Sequence, residues 1–201
     1  MNYLKIRKRD DNMNSVVSLV LREISKQNKS SVIIAVDGRC AAGKTYLASR
    51  IKEAINCNVI HMDHFFLRPK QRTSERLKEP GGNVDYERFT EEVMQPLKEG
   101  KAFSFKKFDC KCMSLTSDIH IEPSKVTIVE GTYSCHPAMW DYYDYRVFLD
   151  IDPKTQMERI LTRNGREAAE VFRNRWIPLE EIYFSSYNIR ERCDDSFVMK
   201  E

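Results

Sequence analysis

The sequence predicts an α/β chain built around a mainly parallel sheet, and three observations carry that prediction. Short apolar, β-branched runs alternate with amphipathic stretches of helical spacing, the pattern of βαβ units. A glycine-bracketed loop, Gly38-Arg39-Cys40-Ala41-Ala42-Gly43-Lys44-Thr45, joins one such strand directly to a helix. Acids fall at the expected C-terminal ends of strands: Asp37, Asp63, Glu130 and Asp150. In parallel sheets that edge is where ligands bind.

The elements follow in order. Residues 12–27 place Val16, Val17, Val20, Leu21 and Ile24 on one helical stripe. Residues 31–36 read as a buried strand, and Thr45 to Ala54 as a helix with Leu47, Ile51 and Ala54 on one face. Residues 57–62 form a second strand ending at Asp63. Residues 67–84 are polar, hold Pro69, Pro80, Gly81 and Gly82, and read as an excursion loop. Residues 86–98 are helical, with an irregular end at Pro96. Alternation in residues 102–122 predicts a small β-ribbon. Residues 126–129 and 146–151 are further strands. Asp152-Pro153 supplies a cap and first-turn proline for a helix that stops at Asn164-Gly165. A last helical region lies within 167–190, and residues 196–198 give a fifth strand. Residues 1–201 read as one domain, with about 67–84 and 102–122 as substrate-side excursions and about 159–176 as a lid.

The 201 residues allow a sizeable core, and a net charge of +3 with 31% charged residues argues against a dedicated nucleic-acid binder. The basic start, Lys5 to Arg9, precedes Asp10 and Asp11 and no apolar run, so no secretory signal is expected. No stretch has the length and apolarity of a membrane span. The six cysteines lack metal-type or redox spacing and read as free thiols of a cytoplasmic enzyme. Cys40 lies inside the loop, where its modification is expected to block the site.

The loop has the Gly-x-x-x-x-Gly-Lys-Thr form of a phosphate cradle. Successive N–H groups from Gly38 to Thr45 make an anion nest, and the following helix N-terminus adds positive potential. Lys44 suits β- and γ-phosphates, and the Thr45 hydroxyl suits Mg²⁺. Glu130, at a strand tip, reads as a magnesium-side acid or a cap. Asp63 reads as a general base for an alcohol, or as an outer magnesium ligand or cap. His61 shares its strand face. Asp85 after Asn83-Val84 reads as a helix cap, a hydroxyl-binding group, or both. Arg159, Arg163, Arg166, Arg173 and Arg175 suit the charge of a phosphoryl group in flight, or a solvated surface paired with Glu158, Glu167 and Glu170.

Taken together these segments resemble the uridine kinase-like family of P-loop small-molecule kinases. Met62-Asp63-His64-Phe65-Phe66 is similar to its Asp-x-Phe-Tyr segment, Asn83-Val84-Asp85 to its Asn-x-Asp segment, and Val129-Glu130-Gly131 to its acidic strand end. Phe108-Asp109 resembles the Tyr-Asp of its ribbon. The resemblance implies a three-layer P-loop NTPase fold with a five-stranded sheet, a ribbon and an arginine-bearing lid. It implies ATP or GTP as donor, Mg²⁺ as cofactor and a nucleoside-like acceptor of the uridine or cytidine type. It casts Lys44, Asp63 and Arg163 as catalytic, Asp63, Phe66, Asp85, Phe108 and Arg159 as acceptor-side, Arg163, Arg166 and Arg173 as lid, and Thr45 and Glu130 as metal-side. Phe66, Phe108 and Met113 replace polar residues of uridine-phosphorylating members. Those replacements keep other alcohols open: nicotinamide riboside, pantothenate or a sugar phosphate. A nucleotide-dependent switch without an acceptor is the rival from another class. A homo-oligomer is compatible with the sequence.

Overall fold

Strand β1 (Val32–Gly38) is buried along its whole length because it is the centre of the sheet. The computed structural model describes residues 3–200, with side chains from residue 12 onward, so the basic run at Lys5–Arg9 lies outside the described side chains. Five strands stand in the order β2 (Asn58–His61), β5 (Val126–Glu130), β1, β6 (Tyr145–Ile151), β7 (Asp195–Met199), every pair parallel. Val32 sits opposite Val126 and Ile34 opposite Tyr145, which brings the C-terminal ends of β1, β5 and β6 to one edge.

Alternation along β1 divides the core into two layers. Ile33 and Ala35 join Ile60, Val129, Phe89, Val93, Phe105 and Tyr183 on one face. Val32, Ile34 and Val36 join Met13, Val16, Val20, Leu47 and Ile51 on the other. That second layer comes from α1 (Tyr3–Lys26) and α2 (Lys44–Ala54). The result is a three-layer α/β/α arrangement, as the sequence predicts. Among the described residues no helix is long and apolar enough to cross a membrane.

Three departures from the sequence expectations have local causes. The helix after Asp85 runs as α3 (Tyr86–Phe89), a π turn (Thr90–Met94) and α4 (Gln95–Glu99). Pro96 lacks an N–H and crowds the carbonyl four residues back, so the irregularity falls one turn before the proline rather than at the helix end. Helix α5 (Pro153–Val171) breaks at Gly165 (φ 82°, ψ 173°) but resumes at once instead of stopping. A second π turn (Phe172–Trp176) then precedes Pro178 in α6 (Ile177–Tyr187), the same arrangement as at Pro96. The short α7 (Ile189–Arg192) leads into β7.

The expected ribbon is β3 (Phe103–Asp109) paired antiparallel with β4 (Ser114–Ile121). Residues 67–84 leave and rejoin the fold at a single bridge, Phe66 opposite Val84, with Asp85 N–H on the Phe65 carbonyl at 2.7 Å. The excursion is therefore a closed loop held at its base.

Gly38 is forced by proximity. Its φ is +134°, and a Cβ there would lie 2.0 Å from the Leu149 carbonyl oxygen. Gly100 has φ +67° with nothing within 4 Å of a Cβ. Gly100→Ala is therefore expected to cost about 1–2 kcal/mol of backbone strain. Gly38→Ala adds a backbone collision and is expected to cost about 3 kcal/mol or more. Urea denaturation midpoints of the two variants check the difference.

Candidate active site

The phosphate-type loop is held from beneath by Asp37. This carboxylate is fully buried and accepts four hydrogen bonds. They come from the N–H groups of Gly38 (2.6 Å), Tyr133 (3.2 Å) and Cys135 (2.8 Å) and from the Tyr183 hydroxyl (2.8 Å). Burial pushes its pKa up, against the pull of those donors. Helices α5 and α6 grip the loop from outside. Arg39 Nε meets Asp150 at 2.8 Å, and its guanidinium forks onto Glu181. The Cys40 N–H donates to Glu180 Oε2 at 3.0 Å, and Gln156 donates to the Cys40 carbonyl at 3.2 Å. Arg159 reaches the Ala41 carbonyl at 3.2 Å. Burial and the neighbouring Glu180 push the Cys40 thiol up to about 12. Its thiolate is therefore scarce at neutral pH.

Lys44 Nζ donates to the carbonyls of Gly38 (2.7 Å) and Arg39 (2.8 Å) and to Thr132 Oγ1 (3.1 Å). Thr45 Oγ1 donates to Glu130 Oε1 at 3.0 Å, and His61 Nδ1 lies 2.5 Å from the same oxygen. That hydrogen bond raises the His61 pKa. Asp63 is the second residue of the short 3₁₀ turn Met62–Phe65 that follows β2. It is open to water within the cleft yet walled by protein on its other sides. Enclosure raises its pKa first and the Glu130 charge second, while Lys44, His61 and Arg163 oppose the rise. Asp63 is thus within electrostatic reach of the loop lysine, the strand-tip acid and the arginine of α5. The neighbouring His64 is pushed down to about 4 by burial and is neutral at pH 7.

These groups line one cleft of about 1330 Å³. Of the residues singled out in the sequence, Cys40, Ala41, Gly43, Lys44, Thr45, Asp63, Phe66, Glu130, Arg159 and Arg163 line it. Gly38, Arg39 and Ala42 lie behind the loop surface. Two residues cast on the acceptor side do not line this cleft. Asp85 lines a second, smaller pocket and caps α3, one of its expected roles, through the Arg88 N–H (3.3 Å), while taking Gln71 Nε2 at 2.8 Å and Arg68 at 3.4 Å. Phe108 is buried: a register shift between Lys106 and Phe108 interrupts the strand's alternation, so it is covered like Phe103 and Phe105. Arg166 and Arg173 are exposed and do not line the cleft, and Arg173 pairs with Glu170 at 2.9 Å.

Sequence reasoning missed Asn83, Thr132, Tyr133 and Glu180 in the cleft wall. The signal for Glu180 was its i, i+3 spacing from Tyr183 on one helix face, which placed a carboxylate where apolar residues were due.

The oxygen donors fit a hard divalent cation. Thr45 Oγ1 and Glu130 Oε1 stand side by side at the loop, and the described residues hold no group of three His, Cys, Asp or Glu able to hold a metal. A cation there would take its remaining ligands from phosphate and water, as Mg²⁺ does.

The model of the phosphoribulokinase/uridine kinase family matches residues 33–172. The chain belongs to that family. It is 28% identical over 163 residues to a uridine kinase of Haemophilus ducreyi, spanning 72% of this chain and 74% of that one. It is 28% identical over 119 residues to a probable uridine-cytidine kinase of Caenorhabditis elegans, spanning 51% of this chain and 48% of the relative. Among solved structures it superposes on a possible uridine kinase from Bacillus stearothermophilus with a TM-score of 0.70 at 18% identity, covering 94% and 98% of the two chains. A D-glycerate 3-kinase from Cryptococcus neoformans gives 0.65 at 16% identity, covering 92% and 94%. The family membership makes this chain a P-loop phosphotransferase that acts on an alcohol.

Glu180 links the cleft to pH. Burial pushes its carboxyl up to about 7 from 4.5. Proton uptake therefore favours the folded chain; that contribution is complete below about pH 4.5 and is lost as pH rises through about 7. Glu180→Gln keeps an acceptor for the Cys40 N–H and removes the titration. Relative to the unaltered chain, its stability advantage is expected to grow from about pH 4.5 to about 7 and to hold its full value above. Urea midpoints across that range measure it.

Proposed function

We propose that this chain transfers the γ-phosphoryl group of ATP or GTP to a hydroxyl of a nucleoside-sized metabolite, with uridine and cytidine the first acceptors to try. One observation carries the reading. Asp63 stands in the cleft within electrostatic reach of Lys44, Glu130 and Arg163, so a carboxylate faces the place where a terminal phosphate would lie.

The loop amides from Ala41 to Thr45 hold the donor phosphates. Lys44 exchanges its contacts with Gly38 and Arg39 for phosphate oxygens, and Thr132 remains beside it. Thr45 and Glu130 would hold Mg²⁺, which supplies charge neutralisation for the phosphates when bound. Asp63 accepts the proton of the attacking hydroxyl. Its raised pKa brings it nearer to neutrality, where a base transfers protons most effectively. Arg159 and Arg163, from α5, face the transferred group, whose charge in flight is spread over equatorial oxygens. Positioning and electrostatics supply most of the rate.

Asp63→Asn removes the proton acceptor and leaves the loop intact. Turnover is expected to fall by a factor on the order of 10²–10⁴, with nucleotide affinity unchanged. ADP release assays and equilibrium titration with a non-hydrolysable ATP analogue read the two quantities. In the unaltered chain, kcat/KM is expected to decline as pH falls through an apparent value above the ordinary 3.8 of an aspartate. Normal turnover in Asp63→Asn would exclude the base assignment.

A further inference from the structure

Four arginines surround the excursion loop, and three are spent on carboxylates. Arg68 meets Asp85 at 3.4 Å, Arg76 meets Glu87 at 2.6 Å, and Arg88 meets Glu92 at 3.1 Å. Arg72 differs: among the described residues no carboxylate lies within ion-pair distance of it. It is not loose. Its Nε donates to the Leu67 carbonyl at 2.9 Å, and its guanidinium carbon stands 5.9 Å from the centre of the Phe108 ring. One carbonyl and one ring fix the plane and leave both terminal nitrogens unclaimed. The side chain is half-buried and lines the cleft.

Its position is at the acceptor end. The Cys110 thiol feels Arg72 and Asp63 together, the first pulling its pKa down and the second pushing it up, after burial as the main cause. Arg72, Cys110 and Asp63 line the same cleft. The nearby wall, from Phe66, Leu77 and Met113, carries no charge. The cleft's other acids stand elsewhere: Glu130 is engaged by Thr45 and His61, Glu180 by the Cys40 N–H, and Glu158 lies on α5. A fixed guanidinium with two free N–H edges in an otherwise uncharged wall matches a carboxylate or phosphate fork.

We propose that Arg72 is an acceptor-binding residue, and that the acceptor carries an anionic oxygen group, carboxylate or phosphate monoester, besides the hydroxyl presented to Asp63. This rests on the phosphotransfer reading above and moves its expected acceptor from the neutral nucleosides to alcohols that also carry an anionic group. It also gives the correction at Phe108 a use. The ring that the resemblance casts as a base-side contact lies under the guanidinium instead, as its support.

The test compares three sets of probes in ADP release assays: neutral alcohols (uridine, cytidine, ribose), hydroxycarboxylates (glycerate, pantothenate) and sugar phosphates (ribose 5-phosphate, fructose 6-phosphate). At least one anionic set is expected to exceed the neutral set in kcat/KM, and which set does so separates carboxylate from phosphate. Arg72→Gln is expected to raise KM for that probe roughly 10–100-fold, with kcat and the KM for ATP nearly unchanged. Arg72→Lys is expected to recover part of the loss. Calorimetric binding of the same probes runs in parallel. If neutral probes are preferred and Arg72→Gln leaves their KM unaltered, the proposal is overturned. Should no probe release ADP while Arg72→Gln abolishes binding of an anionic one, the anion site stands and the phosphotransfer reading falls. Should no probe's binding respond to Arg72, the proposal falls by itself.

Discussion

The site depends on one buried carboxylate. Asp37 ends the central strand, and its two oxygens gather the start of the loop, the turn after β5 and the hydroxyl of Tyr183. Three separate segments thus share a single acceptor. The arrangement is demanding, because a buried carboxylate short of donors would cost several kcal/mol. Four donors offset that cost. They also hold Tyr133 at φ 79°, a conformation that a tyrosine would not keep alone. The turn so fixed carries Thr132 to Lys44. Asp37 itself need not touch a ligand to decide where the ligand's partners stand.

Around that anchor the charges fall into two zones. Lys44, Arg159 and Arg163 put positive potential where loop amides and a helix N-terminus already favour an anion. Asp63, Glu130 and His61 form an acidic and proton-exchanging cluster beside it. Each zone shifts the other: the Glu130 charge raises Asp63, while Lys44 and Arg163 restrain the rise. A carboxylate with a raised pKa next to a strongly cationic loop suits the proposed transfer of a phosphoryl group onto an alcohol.

The acceptor side is where this chain departs from the pattern its family resemblance implies. Asp85 serves the excursion loop, caught between Gln71, Arg68 and the first turn of α3. Phe108 is buried, with the Arg72 guanidinium over its ring. The cleft keeps Asp63, Phe66 and Arg159 and adds Arg72, Asn83, Met113 and Tyr133 to its lining. Loops set on a rigid sheet tolerate such exchange, since their side chains can be redirected without disturbing the core.

Local order was legible in the residues. The loop from Gly38 to Thr45, the cap at Asp152 and the two-fold alternation of β1 each express a preference satisfied within a few residues. The oxygen pair Thr45–Glu130 followed from a loop and a strand tip that any parallel sheet of this type brings together. Tertiary structure alone decided the rest. It kept Asp85 out of the cleft lining, because competing donors from residues 68 and 71 lie far from it in sequence and close in space. It buried Phe108 at a register shift that no pattern of residues announces. It left Arg72 with no carboxylate partner among the described residues, because pairing depends on which carboxylates the excursion loop brings near. Sequence sets what each residue can bond to; only the folded chain settles which of the available partners is within about 3 Å.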